Sequence, residues 1–286
     1  MNLVLLQVAN GIGVGVLYFL VAVGLSIVFG LLRLVNFSHG AFYMAGAYLS
    51  YAIVNQLGLN FWAALVAVPT IAFILAIVLE RGVLQRAYKM SHTTQILLTL
   101  GLATVMQEMA IIIWGTDGLS MATPAGLDGI VQIGDFIYPR YRIFVVFVSA
   151  ALALFLWLLL ENTNLGAKVR AGSEYTDMMS LLGCNINNVF MFVFGLGAAL
   201  AAMAGLLAAP MRGIEPFMGL DALGTAFVVV VIGGMGSFGG ALVGALLIGI
   251  VQSVLSISLP ELSQPAIYVV MAAVLLVRPH GLFGRA

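Results

Sequence analysis

Charged side chains are scarce in this chain. Asp, Glu, Lys and Arg together make up 8% of its 286 residues, where a soluble globular protein carries about 25%. Eleven basic and eleven acidic residues cancel to a formal net charge of zero, and no basic patch stands out, which argues against nucleic acid as a partner. Cysteine occurs once, at Cys184, so an internal disulfide is excluded and the redox compartment is left open. Three histidines and that one cysteine make no metal-binding cluster. There is no Gly-x-x-x-x-Gly-Lys-Ser/Thr phosphate loop and no His-Glu-x-x-His motif, and the serines have no credible His and Asp partners. The chain therefore does not read as an enzyme. If it moves a solute uphill, the energy comes from elsewhere.

What the chain has in abundance is apolar surface: 63% of the residues are hydrophobic and the mean hydropathy is +1.15. This is the composition of an all-α polytopic membrane protein. Thirty-three glycines fit that class, because small residues let membrane helices approach closely where no hydrophobic force drives them together. The first apolar run lacks a charged leader and continues to Leu32, so it reads as a span rather than a cleavable signal.

A span needs about 20 apolar residues to cross roughly 30 Å of hydrocarbon. Such runs are predicted at about 5–32, 38–56, 61–79, 95–114, 143–160 and 189–209, followed by a long region at 222–257 and a short one at 263–277. Five glycines, Gly233, Gly234, Gly236, Gly239 and Gly240, interrupt the long region. A turn there gives about 8–9 membrane segments, with Ala222–Ile232 a half-span, the N-terminus outside and the C-terminus cytoplasmic. Cytoplasmic regions then hold Arg33, Arg81, Arg86, Lys89, Lys168, Arg170, Arg278 and Arg285, while Arg140, Arg142 and Arg212 lie outside. An unbroken helix would move Arg278 and Arg285 outside and nearly erase this bias, so the positive-inside rule favours the turn. The final segment is short and is completed by Leu262–Pro265, with Pro265 tolerated in a first helical turn.

Two connecting segments stand out. The external loop 115–141 carries Asp117, Asp128, Asp135, Pro124 and Pro139 and has the length of a small cap over an entrance. Segment 161–188 is polar and rich in helix-forming residues, with Lys168, Arg170, Glu174 and Asp177 between two strongly apolar stretches. It must sit outside the bilayer, where a second protein can push on it.

Polar residues inside spans are the candidate solute contacts. Ser38 is placed to cap a helix on which Asn36, His39 and Tyr43 share a face at spacings of three and four. They read either as a gating element or as a capped helix whose histidine bonds nearby backbone. Glu108 is the one ionisable residue well inside a predicted span, one helical turn beyond Thr104 and next to Gln107. It lies about 20 Å along its helix from Gln95. A carboxylate at that depth is costly unless it is paired or faces a polar cavity. It reads as a pathway residue or as a protonated packing group, and a single acid without a relay argues against a proton pump.

Asn36-Phe-Ser-His-Gly, Leu165-Gly-Ala-Lys-Val-Arg-Ala with Ser180-Leu-Leu-Gly-Cys-Asn, and Val231-Ile-Gly-Gly-Met-Gly-Ser occur in this order, and Arg278-Pro-His-Gly-Leu-Phe-Gly closes the chain. Together they make the chain resemble the permease subunits of ATP-binding-cassette importers of the branched-chain amino-acid type, over essentially its whole length. The resemblance implies a single permease domain over 1–286 with the type II importer fold, in a bacterial inner membrane. It implies a second, paralogous permease subunit, two cytoplasmic ATPase subunits that bind ATP and Mg, and a periplasmic solute-binding protein. No cofactor is implied for this chain itself. Gly166, Arg170, Ala171, Glu174 and Gly183 then belong to the segment that couples to an ATPase. The implied cargo is a branched-chain or other hydrophobic amino acid. Urea, short amides or aromatic acids are alternatives within the same family. A secondary transporter or a passive channel is the alternative of another class.

Overall fold

In the computed structural model the described residues are 2–32, 34, 36–88, 90–133 and 136–284. Arg33, Lys89, Asp135 and Arg285 lie outside them, as do the side chains of Asp177 and Ser180. The architecture is all-α apart from one hairpin. Helix α1 (Asn2–Leu32) is followed by α2 (Ser38–Tyr51), which continues through a π-helical turn to Gln56. Next, α3 (Phe61–Leu79) runs through a second π turn (Glu80–Leu84) into the short α4 (Gln85–Ala87), and α5 (His92–Trp114) follows. The antiparallel hairpin β1 (Ile130–Ile133) and β2 (Phe136–Pro139) leads to α6 (Arg140–Asn162). The polar segment folds as α7 (Asn164–Glu174) and α8 (Thr176–Leu181), and the chain ends with α9 (Ile186–Arg212), α10 (Met218–Gly233), α11 (Phe238–Ser258) and α12 (Pro265–Val277).

Six of these helices are long and apolar enough to cross a membrane, and α10 and α12 are shorter apolar helices. Burial sorts them into a centre and a rim. The apolar stretch of α1 is 78% buried, whereas that of α5 is 11% buried. Helices α1, α2, α9, α10 and α11 form the centre, with α3, α5, α6 and α12 around it. Close approach depends on glycine at the tightest crossings. A Cβ on Gly205 of α9 would run into the Tyr43 carbonyl of α2, and one on Gly11 would meet the Ile250 backbone of α11.

The break in the long apolar region is present, and it is tighter than the run of glycines suggests. Helix α10 ends at Gly233, and Gly234 (φ 98°) and Gly236 (φ 81°) take left-handed conformations that L side chains rarely adopt. Ser237 then caps α11 by accepting from the Gly240 amide at 3.0 Å, so Gly239 and Gly240 belong to the first turn of α11. The closing motif straps this turn: Leu282 donates to the Ile232 carbonyl at 2.8 Å and Phe283 to that of Gly233 at 3.0 Å.

The ends of the described chain lie at opposite ends of the bundle. Near its start, Tyr138 of the hairpin donates to the Ala9 carbonyl at 3.0 Å and Arg142 binds Asn10. The far end of α1 meets the glycine turn, where Gly236 donates to Ser26 Oγ at 3.1 Å, and meets α7 through Leu31 beside Gly172. These are the hairpin end and the α7 end of the molecule.

Candidate functional site

The coupling candidates form one compact unit at the α7 end. Thr163 caps α7, accepting from the Gly166 amide at 3.1 Å, and a Cβ on Gly166 would strike the Leu160 carbonyl, so only glycine permits the sharp turn from α6 into α7. Arg170 donates to that same carbonyl and lies 3.4 Å from Glu161, fixing α7 against the end of α6. This places a cation at a helix C-terminus, where the dipole favours it. The exposed ion pair by itself contributes little. Ala171 accepts from the Tyr175 amide at 2.8 Å to end α7, Glu174 lies exposed on its last turn, and Gly183 has a left-handed φ of 81° in open space. Beyond them, Tyr175, Met178, Leu181 and Leu182 project as exposed apolar side chains from a segment too polar for lipid. Leu181 is 86% exposed.

The residues around Asn36 are arranged for support. Asn36 Oδ1 accepts from the Ser38 amide at 3.1 Å and from its hydroxyl at 2.6 Å. His39, 1% exposed, donates from Nε2 to the Val21 carbonyl at 2.9 Å. Val21 is about 16 Å from the α7 end of α1, so α2 starts inside the bundle. Its first turn meets the first turn of α10, where a Cβ on Gly40 would strike the Gly219 carbonyl. Of the four candidates on this stretch, Tyr43 lines the polar cavity described below.

On α5 the polar residues turn the other way. Thr104 bonds back to the Leu100 carbonyl at 3.1 Å, and it shares an exposed face with Glu108 and with Val105, Met109 and Ile112. Gln107 is half-buried, and Glu108 has no hydrogen-bond or ion-pair partner among the described residues. Nor is Glu108 the one ionisable group inside a span. Helix α3 runs on past Leu79, which brings Glu80 into a buried position, 1% exposed, where its carboxylate accepts from Tyr88 at 2.8 Å. Burial and that carboxylate hold the Tyr88 phenol well above its ordinary pKa, keeping it a donor.

The polar cavity that the sequence reading did not anticipate lies toward the hairpin end of the centre. It is ≈ 150 Å³ and is lined by Tyr18, Tyr43, Arg212, Glu215, Asp221 and Thr225, among others. Arg212, the last residue of α9, donates to the Tyr18 hydroxyl at 2.9 Å with its guanidinium 5.3 Å from that ring's centroid. The same hydroxyl donates to Gln252 of α11 at 2.6 Å, so the arginine is held through α1 by a third helix. Gly213 (φ 78°) stops α9, and Ile214 pairs with Leu119 of the connection between α5 and β1. The chain then turns into α10, with Asp221 in its first turn. The sequence did carry a signal: Arg212 and Glu215 precede, and Asp221 opens, a short apolar helix, the pattern of discontinuous helices at transport sites.

The chain is similar to known proteins along most of its length. The sequence profile of the family described as "Branched-chain amino acid transport system / permease component" matches residues 7–278. The chain is 32% identical to the high-affinity branched-chain amino acid transport system permease protein LivH of Escherichia coli K12, with 98% of this chain and 95% of that protein covered. It is 30% identical to the corresponding BraD protein of Pseudomonas aeruginosa at the same coverage. The LivM permease protein of Escherichia coli K12 is 27% identical over 93% of this chain and 67% of its own length. Among solved structures, PsaBC from Streptococcus pneumoniae in complex with Fab shares the fold, with a TM-score of 0.52 at 15% identity over 94% of this chain and 89% of that one. With its profile matched over nearly the full length and relatives of 30% identity or more along it, the chain belongs to the family of permease components of branched-chain amino-acid transport systems.

Proposed function

We propose that the chain is one permease subunit of an ATP-driven importer that carries branched-chain or other hydrophobic amino acids across the bacterial inner membrane. The observation that carries this reading is the similarity, along almost the entire chain, to permease proteins named for high-affinity branched-chain amino-acid transport. Similarity to both LivH and LivM proteins supports a paralogous second permease subunit as partner. Two cytoplasmic ATPases, which hold ATP and Mg, drive the cycle, and a periplasmic solute-binding protein delivers cargo at the hairpin end. The α7 end faces the cytoplasm, because Lys168, Arg170 and Arg278 gather there. Segment 161–188 docks on an ATPase. Its exposed Tyr175, Met178, Leu181 and Leu182 supply apolar anchors, and Gly166 and Arg170 make the joint with α6 stiff enough to pass a push into the bundle.

The test is reconstitution of the chain with its second permease, ATPases and binding protein in liposomes. Leucine uptake should require both ATP and the binding protein. Uptake driven by an ion gradient, or equilibration without nucleotide, would replace the importer with a secondary transporter or a channel. Uptake of urea, short amides or aromatic acids in place of leucine would reassign the cargo. The double variant L181E/L182E should lower ATPase co-purification and uptake by about tenfold or more while the permease pair stays inserted. Unchanged co-purification would remove α7 and α8 from the docking surface.

A further inference from the structure

The cavity beside Arg212 has a charge arrangement that the proposed function does not by itself require. Arg212 and two acids, Glu215 and Asp221, line the same ≈ 150 Å³ space. Among the described residues neither acid forms a salt bridge with Arg212, whose polar contact is the Tyr18 hydroxyl. All three side chains are exposed at the mouth of the cavity, where a ligand carrying both charges can reach them. Asp221 also sits in the first turn of α10, where the positive end of the helix offsets one of the two acids.

We propose that this cavity, at the hairpin end of the bundle, is a recognition site for the zwitterionic head of a free α-amino acid. The ligand's carboxylate sits on Arg212, and its ammonium lies between Asp221 and Glu215. The inference rests on the proposed amino-acid cargo and assigns its head group to particular residues. A purely anionic ligand would meet two carboxylates and a purely cationic one the guanidinium, so only a ligand carrying both charges is matched throughout. The volume is below the roughly 300 Å³ at which pockets for drug-sized ligands begin, which suits one small solute. Tyr43 adds a hydroxyl, and Met218 and Ala222 give the solute's side chain an apolar wall. The site is stiff where orientation matters. Tyr18 ties Arg212 to Gln252, and Thr225 bonds the Asp221 carbonyl at 3.1 Å, fixing the first turn of α10.

The test uses the assembled transporter in nanodiscs without its binding protein, probed with L-leucine, 4-methylpentanoate (no ammonium) and 3-methylbutylamine (no carboxylate). Leucine alone should raise the thermal midpoint and bind saturably. Arg212→Gln and Asp221→Asn should each weaken leucine binding by roughly tenfold or more. If Arg212→Gln does not assemble, Asp221→Asn and Glu215→Gln decide the matter. Equal binding in those variants, or an amine that binds as tightly as leucine, overturns the proposal. So does a wild-type complex that imports leucine yet binds none without its binding protein. A complex that imports no leucine at all refutes the proposed cargo instead. The cavity is then judged by alanine and phenylalanine, which share the head group, and binding of neither would refute the cavity as well.

Discussion

At the scale of single residues, two acids exchange the environments their positions in the sequence suggest. Glu108 lies in mid-helix and is exposed, while Glu80 lies past the end of an apolar run and is buried against Tyr88. The cause is geometric. A helix that is apolar on every side gives no periodic clue to which face is covered, and the π turn after Leu79 carries α3 onward and rotates its last residues inward. Among the described residues nothing bonds to the Glu108 side chain, and Thr104 is already satisfied by the Leu100 carbonyl. Glu108→Gln and Glu108→Leu should therefore each change the stability of the isolated chain by no more than about 0.5 kcal/mol. Thermal unfolding in detergent checks this, and a large loss in Glu108→Leu would show that a partner within the chain holds the acid. Effects on pairing with the second permease or on uptake per assembled complex would then be effects on what covers α5.

At the scale of elements, the helix break separates glycines that look equivalent in sequence. Gly234 has φ 98° and an added Cβ there would crowd the Gly284 backbone, so the position combines a left-handed conformation with a close approach. Gly239 is helical and an added Cβ there meets nothing within 4 Å. Gly234→Ala should lower the yield of folded protein and expose the tail at Leu282 and Phe283 to protease. Gly239→Ala should be neutral or stabilising by up to about 1 kcal/mol, since alanine is the better helix former. Melting curves and limited proteolysis distinguish the two, and equal damage from both would mean that the turn extends into α11. The same scale explains the polar segment: its helical content was legible in Lys168 to Glu174, but the bond from Arg170 back to Leu160 joins two helices across a turn, which residue spacing does not disclose.

For the whole molecule, burial of α1 and exposure of α5 divide the bundle into a packed centre and a rim left for lipid and for a partner. The contacts of Ala9 with the hairpin and of Leu282 with the glycine turn put the two ends of the described chain at opposite ends of the bundle. In a Cys184→Ser background, an impermeant thiol reagent applied to intact cells with a permeable outer envelope should label Asp117→Cys. It should label Lys168→Cys only after lysis. The reverse pattern would invert the orientation given by the basic residues, and labelling of both from outside would contradict the opposed ends themselves.

The class of the protein, the approximate positions of its apolar helices, the break near Gly234 and the polar segment after α6 are all legible in the residue order. These follow from local quantities, namely the length of an apolar run against the thickness of a bilayer, the φ freedom of glycine, and the cost of charge in hydrocarbon. The tertiary structure decided where the polar side chains point. It tied His39 to Val21, turned Glu108 outward, and brought Tyr18, Tyr43, Arg212 and Asp221 around one cavity from four helices. Those placements depend on contacts between residues as far apart as Tyr18 and Gln252. In helices so uniformly apolar, packing of small residues rather than a polar face sets which side meets which.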